Sequence, residues 1–343
     1  MKRNLALLLV LVMVFTFALV GCSAKTEEPA KTEEPAKTEE PAKAEEPAKV
    51  ETLELAFATG GTSGTYYPLG GAIASVWNKH IDNVNVTIQP AGASVENINR
   101  VASGEVDIVM AMNNIADQAF NGVGESFPKA LDGFKAVGVV YPEVMHVITT
   151  QKTGITSIAD LKGKTINPGP PGSGTYVTAM AILEAYGIGP DDFKSRPGSF
   201  SDAVAGLKDG NLDAGFAVVS FPASAVTQIA TTNPVKILEI TGDGFDKLLE
   251  TVPFAAQFPI TGGVYKGQDE DAITVALQAV LYVKADLSDE LVYDLAKVMY
   301  ENTPEIEMGH ARGGQISIDS AINGITTPFH PGALKYLEEQ GKK

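Results

Sequence analysis

Cysteine is almost absent from this 343-residue chain, which contains a single one, Cys22. A single cysteine excludes an intramolecular disulfide and a cysteine-rich zinc site. Positive charge is also scarce, because 26 Lys and Arg face 42 Asp and Glu and leave a formal net charge of −16 at pH 7. Nucleic-acid-binding proteins present a basic face, so this balance argues against a nucleic-acid partner.

Catalytic and metal-binding patterns are missing as well. The four His residues lie far apart, and none has the His-x-x-x-His spacing of a metal site. Neither a Gly-x-Ser-x-Gly elbow nor a phosphate-binding P-loop motif occurs. His146 lies in an apolar strand, where we expect a buried core histidine, and His330 lies in a turn before a final helix. The sequence therefore predicts no catalytic residue, metal ion or cofactor.

Residues 1–49 differ in composition from the rest of the chain. Lys2 and Arg3 precede an apolar run over 5–20, the pattern of an export signal. The run is short for a membrane-spanning helix, which needs about 20 residues, and an uncleaved anchor is the alternative. The residues that lead into Cys22 resemble the lipobox of bacterial lipoproteins. That resemblance implies removal of 1–21, a lipid on Cys22, and attachment of the exported protein to the outer face of the cell membrane, or a periplasmic location in a cell with two membranes.

The segment 22–49 continues with a six-residue repeat, Lys-Thr-Glu-Glu-Pro-Ala, whose last copy has Ala in place of Thr. Proline in each copy prevents a long helix, and no aliphatic or aromatic side chain larger than Ala is present to form a core. We predict a disordered tether that spans roughly 30 Å as a coil and roughly 80 Å when extended. A tail that binds a partner is the alternative.

From residue 51 onward, short apolar runs alternate with helical periodicity, which predicts an α/β fold. Two parts of this body follow one plan. The tetrapeptide Ser-Gly-Thr-Tyr stands between a strand and a helix at 63–66 and again at 173–176. A helix stop at Gly, followed by a turn that ends in Asp and by a buried strand, occurs at 104–107 and at 210–213. The duplication predicts two lobes and argues against a single continuous sheet.

Local signals predict where the elements begin and end. Ser94 is expected to cap a helix over 95–102, Ser201 to cap a helix that ends at Asp209, and the first helix to begin near Pro68. Strands are predicted at 53–58, 85–89, 108–112, 164–167 and 214–219.

The repeated loops have the chemistry of an anion site. A Gly-rich turn that opens a helix presents unpaired backbone N–H groups, and the helix dipole adds partial positive charge. Two such turns that face each other across a cleft could hold a small ligand that bears a carboxylate. A purely structural turn is the alternative for either copy alone, and the recurrence favours binding.

The motifs of the body resemble, in one register, those of the TAXI solute receptors, which serve tripartite ATP-independent periplasmic (TRAP) transporters. The first is Gly-Gly-Thr-Ser-Gly-Thr-Tyr-Tyr-Pro-Leu. The matching segments are 60–69, 92–97, 141–143, 158–164, 171–175, 230–232, 267–271 and 330–333. The resemblance implies a type II periplasmic-binding-protein fold, in which two α/β lobes are joined by a hinge with the ligand cleft between them. Lobe one would contain 51–142 and 258–343, and lobe two would contain 143–257.

The resemblance also implies the function and the site. Such a receptor captures a small organic acid, glutamate or a related amino acid or dicarboxylate, and delivers it to the membrane subunits of a TRAP permease. The implied ligand-binding residues are Thr62, Ser63, Gly64, Thr65, Tyr66, Ser94, Val95, Asn113, Tyr141, Ser173, Gly174, Thr175, Val218 and Ser220. The segments 112–114 and 216–222 depart from the family pattern, and no Arg lies in the matched loops. The identity of the acid and of the cation that pairs with it therefore stays open.

Two other functions remain as alternatives. The body could be the ligand-sensing domain of a signalling system. It could also be a secreted enzyme that acts on small organic acids, which would need a nucleophile and base or a metal cluster.

Overall fold

The computed structural model describes residues 51–343, which belong to a compact unit over 50–343. The predicted signal peptide, Cys22 and the tether lie outside these residues. Among the described residues, no helix has the length and apolar character needed to cross a membrane.

Ten strands and ten helices organise the body. The strands are β1 (Leu53–Ala58), β2 (Val84–Gln89), β3 (Ile108–Met112), β4 (Phe134–Thr150), β5 (Thr165–Asn167), β6 (Lys194–Ser195), β7 (Ala214–Val219), β8 (Val235–Ile237), β9 (Ala256–Ile260) and β10 (Ala272–Lys284). The helices are α1 (Tyr66–His80), α2 (Ser94–Ala102), α3 (Asn113–Asn121), α4 (Gly174–Ala185), α5 (Phe200–Asp209), α6 (Ser224–Thr232), α7 (Gly242–Thr251), α8 (Asp289–Glu301), α9 (Thr303–Gly309) and α10 (Pro331–Glu339).

The elements form two α/β groups. The first group, residues 53–121, contains the parallel strands β1, β2 and β3 with α1 to α3. The second group, residues 165–232, contains the parallel strands β5, β6 and β7 with α4 to α6. All five residues of β3 are buried, as expected for a parallel strand that is covered on both faces. Helices α8 and α9 pack against α1 of the first group.

Strands β4 and β10 connect the two groups. They pair with each other in antiparallel fashion, and their outer partners are β3 on one side and β7 on the other. The strand order is β2-β1-β3-β10-β4-β7-β5-β6, with β8 beside β4 and β9 beside β10. The argument against a single continuous sheet is therefore wrong, because these 17- and 13-residue strands extend through both groups.

The middle of the β4–β10 ladder is irregular. Its register shifts between Ala279 and Val280 and again between Leu281 and Tyr282, and such irregularities bend a sheet. The predicted lobe bounds stay a prediction. Strand β9 and the first residues of β10 pair beside the part of β4 that contacts β7. This pairing favours a return of the chain to the first lobe within β10. The predicted return lies earlier, between residues 257 and 258.

Most strand predictions are confirmed, since β1, β3 and β7 have the predicted bounds. Two predicted helix caps are wrong. Ser94 is the first residue of α2, and its Oγ accepts from the backbone N–H of Met112 at 3.1 Å. Ser199 caps α5 in place of Ser201, because it forms a capping box with Asp202.

Candidate ligand-binding site

A cavity of about 210 Å³ lies between the two α/β groups and is called the inner cavity below. It is smaller than the roughly 300 to 1,000 Å³ of pockets that hold drug-sized molecules, so it suits a small solute. Its lining includes Ser63, Gly64, Thr65, Tyr66, Ala93, Ser94, Met112, Tyr141, Glu143, Ser173, Gly174, Thr175, Phe200, Phe216 and Val218.

Four helices begin at this cavity. Their first residues, Tyr66 of α1, Ser94 of α2, Gly174 of α4 and Phe200 of α5, all line it. Each helix start presents backbone N–H groups without a partner within the helix, together with the positive end of the helix dipole. Two of the helices belong to each group, so the cavity is attractive to an anion from both sides.

The loop before α2 is strained at the cavity wall. Ala93 has a φ of +73°, in the left-handed region that residues with a side chain rarely adopt. Residues held in such conformations cluster at binding and catalytic sites, where the surrounding structure maintains them. The strained backbone of Ala93 therefore supports a functional role for this wall of the inner cavity.

The two groups touch around the inner cavity. The Thr65 Oγ1 accepts from the Ser220 N–H at 3.1 Å and lies 3.3 Å from the Ser220 Oγ. The Glu96 N–H donates to the Gly172 carbonyl at 3.1 Å. The structure thus shows a closed arrangement, in which each group supplies hydrogen-bond partners to the other.

Gly174 lies at the closest approach of the groups. A Cβ at this position would collide with the Met112 Sδ and would lie 2.8 Å from the Ser94 Oγ. Both of those residues belong to the first group, so the absence of a side chain at Gly174 is what lets α4 approach α2.

One carboxyl group lies in the wall of the inner cavity. Glu143 is only 3% exposed. Its Oε2 accepts from the Tyr66 hydroxyl at 2.8 Å, and its Oε1 accepts from the Tyr141 hydroxyl at 3.3 Å. Burial raises the pKa of Glu143 to about 8, although the two phenol hydrogen bonds act in the opposite direction. Burial, and then the neighbouring Glu143, raise the pKa of both tyrosines well above their usual value.

A second cavity, the outer cavity, lies beside the same loop. It has a volume of about 720 Å³ and shares Ser63, Gly64 and Thr65 with the inner cavity. Arg312 lines it and donates from Nη1 to the Phe221 carbonyl at 2.7 Å. Because 312 follows α9 and 221 follows β7, this bond also joins distant parts of the chain across the outer cavity.

The structure brings together most of the residues that the sequence implied. The inner cavity is lined by Ser63, Gly64, Thr65, Tyr66, Ser94, Tyr141, Ser173, Gly174, Thr175 and Val218, and the outer cavity by Thr62 and Ser220. Contact of these residues with a ligand stays a prediction.

Two implied residues lie elsewhere. Val95 does not line either cavity and is buried in the hydrophobic core. The Asn113 side chain is occupied by backbone, since it donates to the Gly324 carbonyl at 2.9 Å and accepts from the Gln278 N–H at 3.1 Å. Asn113 thus ties β10 to a distant loop.

Three of the lining residues that the sequence did not predict are informative. Glu143 stands in the Tyr-Pro-Glu motif, whose acidic residue was a usable signal. Phe200 follows Ser199, and the spacing of Ser199 and Asp202 is a readable capping box. Arg312 reaches the outer cavity from a position far along the chain, and no local pattern indicates that contact.

The two histidines behave as the sequence predicts. His146 is fully buried, with Nδ1 at 3.0 Å from the Val144 carbonyl and Nε2 at 3.1 Å from the Tyr265 hydroxyl. His330 caps α10 and accepts from the Gly332 N–H. No cluster of three or more potential metal ligands occurs within 51–343.

Comparison with solved structures concerns the fold. The chain is similar to PhnD1 from Prochlorococcus marinus (MIT 9301), solved in complex with methylphosphonate, with 11% identity and a TM-score of 0.54 over 84% of this chain and 99% of that one. It is also similar to the periplasmic aliphatic sulphonate binding protein SsuA from Escherichia coli, with 16% identity and a TM-score of 0.45 over 84% of this chain and 79% of that one. The fold is a mixed α/β fold that resembles those of periplasmic binding proteins.

Nearly the whole body matches the sequence model of one protein family. This model matches residues 57–341, from the first strand through the helix that ends the described body. The match includes the second α/β group, the first group from residue 57 onward, both connecting strands and every lining residue of the two cavities. This chain belongs to the NMT1-like family.

Proposed function

We propose that this protein is the extracytoplasmic solute-binding receptor of a TRAP transporter of the TAXI type. It captures a small organic acid, either glutamate or a related amino acid or dicarboxylate, and delivers it to the membrane subunits of a permease. The lipid on Cys22 holds the receptor at the membrane, and the repeat segment lets the body move between solute and permease.

The inner cavity carries this proposal. It lies where two α/β groups meet, four helices direct their N-termini at it, and both groups contribute its lining. A solute bound there contacts both groups at once, so its binding energy favours the closed arrangement over an open one. A receptor that changes shape on binding can signal its loaded state to a permease.

The TAXI assignment is supported by the ordered motifs of the sequence. Several of them fall at the cavity: 60–69 supplies the loop before α1, 92–97 the start of α2, 141–143 the buried carboxyl and 171–175 the start of α4. PhnD1, which has a similar fold, was solved in complex with methylphosphonate. This likeness supports a binding role over an enzymatic one.

A thermal-shift screen tests the proposal. The full-length chain is unfolded and refolded to remove any solute that co-purifies, and is then melted with amino acids, dicarboxylates, 2-oxoglutarate and sugars. A solute at 100 times its dissociation constant adds about 2.7 kcal/mol of stability, which raises the melting temperature by several degrees.

The proposal predicts shifts that are restricted to small acids. A refolded protein with a cooperative melting transition and no shift with any acid would contradict the proposed substrate class. Shifts with sugars alone would contradict it as well.

A further inference from the structure

The charges at the inner cavity are unequal. Within the part of the chain that the structure describes, no Lys, Arg or His lines it, and Glu143 supplies its only carboxyl group. The helix starts favour an anion, whereas Glu143 opposes one. A dicarboxylate without an amine would bind favourably at the helix N-termini, but it would leave the Glu143 carboxyl group without a positive partner.

The Glu143 carboxyl group is enclosed by two tyrosine hydroxyls. Each of its two oxygens faces the hydroxyl of a different tyrosine, Tyr66 at 2.8 Å and Tyr141 at 3.3 Å. The tyrosine rings pack edge to face at 84°, with their centroids 6.4 Å apart, which fixes both hydroxyls. Both phenol O–H groups can donate at once when the carboxyl is ionised, so a cation that ionises Glu143 keeps both hydrogen bonds.

This carboxylate has no cationic partner among residues 51–343, where the ion pairs of the structure do not include it. A buried carboxylate without a counter-charge is costly, and proteins retain such groups chiefly at functional sites. A cation supplied by the solute would remove that cost. The solute must then carry a positive group for Glu143 and a negative group for the helix starts, and it must be small enough for about 210 Å³.

We propose that Glu143 is the specificity-determining residue of the site, and that it selects solutes with a protonated amine next to their carboxylate. The ligand class is therefore amino acids, and simple mono- and dicarboxylic acids are excluded. This inference rests on the proposed function and narrows its substrate class.

The alternative role for Glu143 is that of a neutral hydrogen-bond donor. Burial moves its pKa to about 8, so a protonated Glu143 could donate to the carboxylate of a solute. That arrangement would favour acids without an amine. The two roles predict opposite preferences between solutes that differ only in the amine, and such pairs separate them.

The test is isothermal titration of the full-length chain at neutral pH with matched pairs of solutes. L-glutamate is paired with glutarate, L-aspartate with succinate, and L-leucine with 4-methylpentanoate. In whichever pair binds, we expect the amino acid to bind on the order of 30-fold tighter or more, the loss associated with one partner of a buried charge pair. Glutarate, succinate or 4-methylpentanoate that binds as tightly as its amino acid would overturn the inference while leaving the proposed receptor function intact.

The variant E143Q keeps the size of the side chain and removes its charge. We expect it to lose most of the amino acid's advantage over its partner, while the exposed E250Q in α7 keeps the full ratio. An unchanged ratio of the two affinities in E143Q would also overturn the inference. If E143Q fails to fold, the ratio measured on the wild-type protein decides alone. Failure of every solute, in both members of every pair, would contradict the proposed function together with the inference.

Discussion

The two α/β groups share a sequence plan, but only part of that plan has the same structure in both. The Asp that ends each strand-opening turn has one role. Asp107 Oδ2 accepts from the Ala56 N–H at 2.8 Å, and Asp213 Oδ2 accepts from the Thr165 N–H at 2.8 Å. In both groups an Asp thereby ties its strand to the backbone of the neighbouring parallel strand, at Ala56 within β1 and at Thr165, the first residue of β5.

The repeated Ser-Gly-Thr-Tyr has two different structures. In the second group Ser173 is the N-cap of α4, and its Oγ accepts from the Tyr176 N–H at 3.1 Å. In the first group the N-cap of α1 is Thr65, without a side-chain capping bond, and its hydroxyl faces Ser220 of the second group. The same four residues therefore enter their helices at different positions.

This difference separates the framework of the molecule from its cavity. The Asp positions lie between strands of one group, where both groups need the same tie. The tetrapeptides lie at the cavity, where each copy faces the other group and has different neighbours. Local sequence identity thus predicts structure well inside a group and less well where the two groups meet.

The largest expected effect is on the pH dependence of stability. It contrasts two buried side chains of β4, Glu143 at the inner cavity and His146 in the framework. Burial raises the pKa of Glu143 from 4.5 to about 8 and lowers that of His146 from 6.5 to about 4. The groups that face the Glu143 carboxyl are the Tyr66 and Tyr141 hydroxyls. The stability contribution of Glu143 is full below pH of about 4.5 and is lost as pH rises through about 8. That of His146 is full above pH of about 6.5 and is lost as pH falls through about 4.

Urea unfolding across this pH range checks both contributions. We expect E143Q to remove the loss of a few kcal/mol that the wild type shows between about pH 4.5 and about pH 8, and to keep the acid loss of His146. If E143Q shows the same loss between about pH 4.5 and about pH 8 as the wild type, Glu143 is not the buried group responsible. The exposed E250Q serves as the control.

The shared Asp tie gives the next effect. D107A and D213A each leave a backbone N–H of the neighbouring strand without its acceptor, which costs about 1 to 3 kcal/mol of unfolding free energy. Chemical denaturation should give similar losses for the two variants, since the two bonds have the same length. A large loss in one variant and none in the other would contradict the common role.

Gly174, where the two groups approach most closely, provides a test that measures the affinity for the solute. G174A places a methyl group against Met112 and Ser94 and hinders closure, so we expect about a tenfold weaker binding of the preferred amino acid, or about 1.4 kcal/mol. The matched control is G189A, because a Cβ at Gly189 meets nothing closer than 3.8 Å and this residue lines neither cavity. Titration calorimetry of the two variants would contradict this account if their affinities were equal.

The smallest effect separates the two copies of the tetrapeptide. S173A removes the cap of α4 and should cost about 1 kcal/mol. S63A removes no cap and should change stability by less than about 0.5 kcal/mol. Denaturant unfolding of both variants makes the comparison, and equal losses would show that the two serines have the same role.

Much of the framework could be predicted from the sequence, because apolar runs and glycine stops report local structure. The bounds of β1, β3 and β7 are confirmed, and Gly104 and Gly210 both end helices with positive φ. The continuous sheet could not be predicted, since it depends on two long strands that pair over a distance in the chain. For the same reason the sequence did not identify Arg312 at the outer cavity, and it selected Asn113, whose side chain is satisfied by backbone at a distance.

The central claim is that a solute closes the two groups around the inner cavity. Its most direct test is a distance measured across the cleft by electron–electron double resonance. Spin labels would be placed at the exposed positions of D82C, in the first group, and K208C, in the second, with C22S in the same chain. The account predicts a broad distribution without solute, and a shorter and narrower one with the amino acid that binds in calorimetry. A distribution that stays the same with that amino acid at saturation would contradict it.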